Sequence, residues 1–224
     1  MAESAKTLVP KFFDETGTTY DGVVSYGTLG KDKYWKRKML EQISDGSSFL
    51  DLACGTGILT REIAEKFPNS KIVGIDITKS YLEVAKKNSS YFENISFILD
   101  DAEEFKLDSK FDCITASYLP KYCDPEILVK NCTAHLKPGG KIIFHDFTYP
   151  KNLVVRGLWN LFLTSLRLVG CFIPSWKDAL IGLPKLIRRT KWLESYSDVM
   201  KKNGLSVNRQ YLTCGASAIL TGTK

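Results

Sequence analysis

Apolar and polar positions alternate along this chain in a repeating order of short apolar runs and amphipathic stretches. Phe49 to Ala53 and Lys71 to Ile77 are apolar runs of strand length, each carrying one acidic residue near its end. Between them lies a stretch with helical spacing. Thr78 then offers a cap to a helix carrying Tyr81, Leu82 and Ala85 on one face, and Ile95 to Leu99 reads as a third strand. Phe111 to Ala116 gives a fourth strand, Asp124-Pro125 opens a helix with proline at its first position that runs to about His135, and Lys137-Pro138-Gly139-Gly140 breaks it. Lys141 to Phe147 is the fifth strand. Strands separated by helices predict a parallel α/β sheet covered on both faces, with a ligand crevice outside the strands' carboxyl ends. The end of the chain differs. Leu205 to Leu212 and Ala216 to Thr221 are joined only by Thr213-Cys214-Gly215, too short for a crossover, so this pair must be an antiparallel hairpin.

The chemistry concentrates in Asp51-Leu52-Ala53-Cys54-Gly55-Thr56-Gly57 and in Asp76, which lies 19 residues beyond Gly57. Gly55 and Gly57 allow a tight strand-to-helix turn with the backbone in reach of a ligand. Asp76 at a strand's end is placed to accept hydrogen bonds from both hydroxyls of an unphosphorylated ribose. NAD and S-adenosylmethionine both meet these requirements. The third glycine position of G-x-G-x-x-G holds Thr60, which weakens the dinucleotide reading. Asp51 offers a carboxylate to the ammonium of S-adenosylmethionine. The plainer alternative is a simple turn, with Asp76 capping a helix.

With 224 residues and 44% hydrophobic composition, the chain is long enough for one substantial core and is expected to form a single domain, 1–224. Six cysteines form no C-x-x-C pair and predict reduced, buried thiols. Met1 to Lys6 lacks the pattern of a secretory leader, so a cytoplasmic protein is expected. Net charge is +6, but residues 151–192 hold eight Lys or Arg against one acidic residue, Asp178. A basic surface confined to one insertion argues against a nucleic-acid partner. Within that insertion 153–173 is strongly apolar yet carries Arg156 and Arg167, which disfavours a membrane span and suits a lid or a peripheral membrane contact.

Taken with Tyr20-Asp21, Tyr34-Trp35-Lys36-Arg37, Leu136-Lys137-Pro138-Gly139-Gly140 and Asp146-Phe147-Thr148-Tyr149-Pro150, the glycine loop makes the chain resemble class I methyltransferases. More narrowly, it is similar over nearly its full length to the ubiquinone/menaquinone biosynthesis C-methyltransferase family. The resemblance implies a Rossmann-like sheet, mostly parallel with a C-terminal antiparallel hairpin, and S-adenosylmethionine as cofactor. It implies Thr56 around the methionine portion, Asp76 and Ile77 at the ribose, Asp101 and Ala102 at the adenine, Ser117 beneath the cofactor and Tyr20 closing over it. The substrate it implies is a lipophilic prenylated quinol such as demethylmenaquinol. The chain departs from the family after the fourth strand, where Tyr118-Leu119-Pro120-Lys121-Tyr122-Cys123 replaces Phe-Gly-Leu-Arg-Asn-Val.

Displacement at a sulfonium needs no metal, only alignment and exclusion of water. Methylation of a ring carbon also needs a base or a phenolate-stabilising donor, for which Lys121, His145 and Tyr122 are the candidates, with Tyr118 and Asp146 nearby. His145 suits a base near neutral pH, or else is a buried strand histidine. An O-methyltransferase, a nicotinamide oxidoreductase and a non-catalytic membrane-associated module stay open as alternatives, as does a homodimer.

Overall fold

The computed structural model describes residues 7–13 and 16–224. Three helices, α1 (Leu8–Phe13), α2 (Tyr20–Gly27) and α3 (Lys31–Leu40), precede the sheet. Then come β1 (Ser48–Leu52), α4 (Ile58–Lys66), β2 (Lys71–Asp76), α5 (Lys79–Asn88), β3 (Ile95–Leu99) and β4 (Phe111–Ser117). The second half runs through α6 (Pro125–Ala134), β5 (Leu136–Phe147), α7 (Leu153–Gly170), α8 (Lys177–Arg189), α9 (Trp192–Lys202), β6 (Ser206–Leu212) and β7 (Ser217–Thr223).

The strands form one seven-stranded sheet in the order β3-β2-β1-β4-β5-β7-β6. β1 to β5 pair in parallel, whereas β7 lies antiparallel to both β5 and β6. The expected hairpin is present. Its three-residue turn works because Thr213, Cys214 and Gly215 all take positive φ. The chain leaves β1 toward β2 on one side and returns through β4 on the other, so a crevice opens between the carboxyl ends of β1 and β4.

Alternation along the strands divides the core between the two faces. Leu50, Leu52, Ile142 and Phe144 face α6 and α9, packing with Leu128, Cys132, Tyr196 and Met200. Phe49, Ile143 and Ile219 point the other way onto Trp35, Met39, Leu59 and Ile63 of α3 and α4. Coverage on both faces is what near-continuous apolar strands require.

Three local expectations change. The fifth strand starts at Leu136, which pairs with Phe111, and the pairing then shifts register before Cys113 meets Lys141. Lys137 to Gly140 therefore ends α6 but is carried inside the strand as an irregularity, with Gly139 at φ 74°. Thr78 occupies the N-cap of α5, yet its side chain caps no helical N–H. Asp124, by contrast, accepts from the N–H groups of Glu126 and Ile127 at 2.8 and 3.2 Å and caps α6 as expected. All six cysteines are free; three are buried, but Cys171 and Cys214 are exposed, so burial holds for only part of the set.

Candidate active site

A largely apolar cavity lies over the carboxyl ends of β1, β2, β3 and β4, beneath α1, α2, α7 and α8. Its floor is built from the glycine loop. Ala53 and Gly55 both turn through the left-handed region, at φ 51° and 57°, and a Cβ on Gly55 would face the cavity, 3.7 Å from Tyr81 and 4.0 Å from Tyr20. Asp76 closes the loop. Its two carboxylate oxygens accept from the N–H groups of Gly55 and Thr78, each at 2.8 Å. The Thr78 hydroxyl and the Ile77 N–H also bond to the carboxylate, and burial pushes its pKa up despite those bonds. Ile77, Asp101, Ala102 and Ser117 follow around the wall, and Tyr20 of α2 lies above.

Four residues singled out in the sequence have other duties. Asp51 is away from the cavity wall, 2% exposed, and accepts from Thr60 Oγ1 at 2.7 Å and Thr115 Oγ1 at 2.8 Å. It ties β1 to α4 and β4, and the ammonium role assigned to it is withdrawn. Gly57 also leaves the wall; a Cβ there would press on Arg61, Ala85 and Phe97 at 3.2 to 3.4 Å, so its need for glycine is helix packing and a φ of 78°. Thr56 donates to Asp21 of α2 at 2.6 Å and latches that helix onto the loop, its side chain off the lining. His145 is fully buried inside the sheet. Its Nδ1 is 2.9 Å from Ser117 Oγ and its Nε2 2.6 Å from Ser217 Oγ, while burial drives its pKa well down. A neutral imidazole with both nitrogens engaged is a positioning group for Ser117, and the general-base role is withdrawn.

Burial raises the Asp51 pKa from 3.8 to about 6. A carboxyl with a raised folded pKa stabilises the fold fully below its unfolded value and loses that contribution as pH rises through the folded value. The loss amounts to about 3 kcal/mol. Asp51→Asn keeps both threonine contacts in reach without the charge, so its stability advantage over the parent should grow between pH 4 and pH 7. Urea unfolding of both proteins at three pH values measures it, and a difference independent of pH would clear Asp51.

The lid brings together aromatic side chains from distant segments, a grouping that no sequence spacing marks. Phe13, Tyr20, Tyr81, Tyr122 and Trp176 line the cavity. Ring centroids lie 5.0 Å apart for Tyr20 and Tyr81, 6.2 Å for Tyr20 and Trp176, and 6.3 Å for Phe13 and Tyr122. Trp176 Nε1 donates to Thr19 at 2.9 Å, which anchors the lid to the start of α2. Tyr20 and Tyr122 are candidates in the sequence and Tyr81 lies on a predicted helix face, but Phe13 and Trp176 leave no trace beyond an aromatic content of 12%, which does not say which rings meet.

Lys121 and Asp146 form an ion pair at 2.9 Å whose side chains are 2% and 0% exposed. Lys121 lines the cavity, and its ammonium also donates to the Tyr118 carbonyl and sits 4.5 Å from the Tyr122 ring centroid. Burial pulls the lysine pKa down and the aspartate pKa up. Asp146 is fixed in turn by the N–H groups of Lys121 and Phe147. Tyr118 holds φ 65°, an unfavourable backbone state for a non-glycine residue, and is kept there by its hydroxyl on Asp32 at 2.8 Å and by stacking on Phe147. Two polar atoms on the wall, Tyr122 Oη and Trp159 Nε1, are buried without a hydrogen-bond partner.

The reversed strand order, the hairpin beside β5, and an acidic residue at the tip of β2 bonded to a glycine loop define a class I S-adenosylmethionine-dependent methyltransferase. The chain belongs to the methyltransferase domain family, whose profile matches residues 43–166. It is 29% identical over 226 residues to the ubiquinone/menaquinone biosynthesis C-methyltransferase UbiE of Hahella chejuensis, spanning 96% of this chain and 91% of that protein. It is also 29% identical to the malonyl-[acyl-carrier protein] O-methyltransferase of Halalkalibacterium halodurans, over 87% of this chain and 78% of that one. Geranyl diphosphate C-methyltransferase from Streptomyces coelicolor, solved with S-adenosyl-L-homocysteine, shares the fold with a TM-score of 0.64 at 10% identity, covering 85% of this chain and 75% of that one. The nicotinamide oxidoreductase and the non-catalytic module fall away.

The residues present fit S-adenosylmethionine. Gly55 leaves open the space that a Cβ would take, and the Asp76 carboxylate lines the cavity beside it at the tip of β2. The wall formed by Asp101 and Ala102 lies at the tip of β3, next to Asp76 around the rim.

Proposed function

We propose that this methyltransferase alkylates a ring carbon of a lipophilic, prenylated quinol of the demethylmenaquinol type. The observation that carries the reading is Lys121, the one basic side chain among the described residues lining a largely apolar cavity, held in an ion pair with the buried Asp146. A hydrophobic cavity selects an apolar molecule, and one fixed cation within it selects an oxygen that becomes anionic. The bound cofactor supplies a methyl group on a positively charged sulfur.

Asp76 and Ile77 would hold the ribose, Asp101 and Ala102 would flank the adenine, and Tyr20 would close from α2. Lys121 faces the acceptor. The neutral Lys121 amine would take the proton of the ring hydroxyl and, as the ammonium so formed, stabilise the oxygen anion; burial lowers its pKa in the direction that makes this amine available. Asp146 fixes the position of Nζ. The adjacent carbon, made electron-rich, would be the nucleophile toward the methyl group that the cofactor would supply, and passing that carbon's proton to solvent would restore the ring. Tyr122 Oη and Trp159 Nε1, both buried and unpartnered, are available to the oxygens of the acceptor. The aromatic lid excludes water that would compete for the methyl group. Similarity to the ubiquinone/menaquinone enzyme of Hahella chejuensis over 96% of the chain supports the substrate class.

Incubation with methyl-labelled cofactor and a short-chain demethylmenaquinol, followed by mass spectrometry and carbon NMR, should place the label on a ring carbon. Label confined to oxygen would turn the assignment to an O-methyltransferase. Absence of label on the quinol would remove this substrate class.

A further inference from the structure

Helix α7 is apolar on two opposite faces. On the inner one, Trp159, Leu163 and Leu166 line the cavity and Gly170 packs against Leu180. On the outer one, Leu153, Val154, Leu158, Leu161, Leu168 and Val169 are 49% to 73% exposed. At 100° per residue the positions between them on that face are Gly157, Thr164 and Ser165, so the outer stripe contains no charge. Both arginines of the helix turn away from it. Arg156 lies over the Tyr149 ring at 5.9 Å, and the Arg167 Nε is buried. Phe172, 85% exposed, continues the apolar surface past the helix end.

An isolated exposed leucine is ordinary, but a contiguous uncharged stripe on a helix whose other side is already packed is not. The neighbouring surface says what covers it. Lys177, Lys185, Arg188 and Arg189 of α8, and Lys191 after it, are all exposed, and Asp178 is the one acidic residue in 151–192. A second copy of the chain would bring the same positive charge to the contact. An anionic lipid surface complements both the apolar stripe and these exposed cations, of which Arg188 is tied to α7 by its hydrogen bonds to Asn160 Oδ1 at 2.9 and 3.1 Å.

We infer that the outer face of α7, with the basic residues of α8, docks this protein on an anionic bilayer, the helix lying in the plane of the interface. The 18 residues of α7, mean hydropathy 1.2, are long enough to cross a membrane. Crossing would strip Trp159, Leu163 and Leu166 from the cavity wall, so docking along the surface is the arrangement that keeps the site intact. The inference stands apart from the identity of the methyl acceptor, although a cavity walled by the docking helix suits an acceptor drawn from lipid.

The test is co-sedimentation of the full chain with vesicles of phosphatidylcholine alone or with phosphatidylglycerol at one part in three. The parent should pellet with the anionic vesicles about tenfold more strongly than with neutral ones, and should be released by alkaline carbonate. Leu161→Glu/Leu168→Glu should lower binding to both by about tenfold or more, and Lys185→Glu/Arg189→Glu should erase the anionic preference. S-adenosylhomocysteine affinity, read by calorimetry, should stay at the parent value in both, and Leu161→Ser/Leu168→Ser supplies the same reading if the glutamates prevent folding. No pelleting of the parent, or equal pelleting of the leucine variants, would overturn the inference. So would a parent dimer in sedimentation velocity that these variants convert to monomer, since a second copy would then own the face.

Discussion

Asp76→Ala should weaken S-adenosylhomocysteine binding by about a hundredfold in calorimetric titration. The carboxylate closes the glycine loop, and in the proposed site it would also hold the ribose. Its loss removes charged acceptors for the ribose hydroxyls, each such bond contributing about 1.5 to 3 kcal/mol. It also releases the Gly55 and Thr78 N–H groups, held at 2.8 Å, and with them the loop that keeps Ala53 and Gly55 at positive φ. A loss near 3 kcal/mol corresponds to a factor of about one hundred. The pH dependence has a definite sign. Only the ionised carboxylate accepts from two hydroxyls, and burial raises its pKa, so affinity should decline on acidification before an ordinary carboxylate would begin to titrate. Asp76→Ala should lack that decline. Equal affinity in parent and variant would move the ribose away from β2 and remove the site as drawn.

The sheet was legible because its strands are short apolar runs bounded by turn residues, and its crevice followed from strand order. The hairpin was legible from a three-residue connection that admits no crossover. Identities inside the glycine loop were harder. Asp51, Thr56 and Gly57 lie within a few residues of Gly55, yet only Gly55 of these faces the cavity; the others satisfy Thr60, Thr115, Asp21 and the packing of α4. Sequence places a residue in a loop, whereas its direction depends on φ at single positions such as Ala53 at 51°, and nothing in an alanine announces that value.

His145 shows the same limit from another side. A lone histidine near a strand's carboxyl end has the pKa range of a base, but strand alternation and the register with β7 decide where the ring goes. His145 pairs with Ile219 and directs its ring onto the α3 side of the sheet, beside Trp35 at 5.4 Å. Lys121 and Asp146, 25 residues apart, are adjacent because β4 and β5 are parallel neighbours, with Ser117 opposite His145 in the register. Pairs of that kind belong to topology. The aromatic lid is less legible still, since Phe13, Tyr81 and Trp176 come from three distant segments with no shared period.

Lys121→Met should lower kcat by about a hundredfold to ten-thousandfold with the acceptor that takes the methyl group, as expected for loss of a group that moves a proton and stabilises an oxyanion. S-adenosylhomocysteine affinity should hold within about twofold, because in the proposed site other residues would hold the ribose and adenine. The same substitution leaves Asp146 buried without its cation, and breaking a buried pair costs about 3 to 5 kcal/mol. A fall in rate alone would therefore not separate chemistry from folding. The double variant Lys121→Met/Asp146→Asn does separate them. Neutralising both partners removes the unpaired charge and should return most of the lost stability in urea unfolding, since apolar and neutral replacements of buried pairs are well tolerated. Turnover should stay at the level of the single variant. Lys121→Arg should keep a cation but place a planar, permanently charged group where a lysine can lose its proton, and should recover only part of kcat. Full recovery of turnover in the double variant would reduce the pair to a structural element and send the search for the base back to the remaining cavity wall.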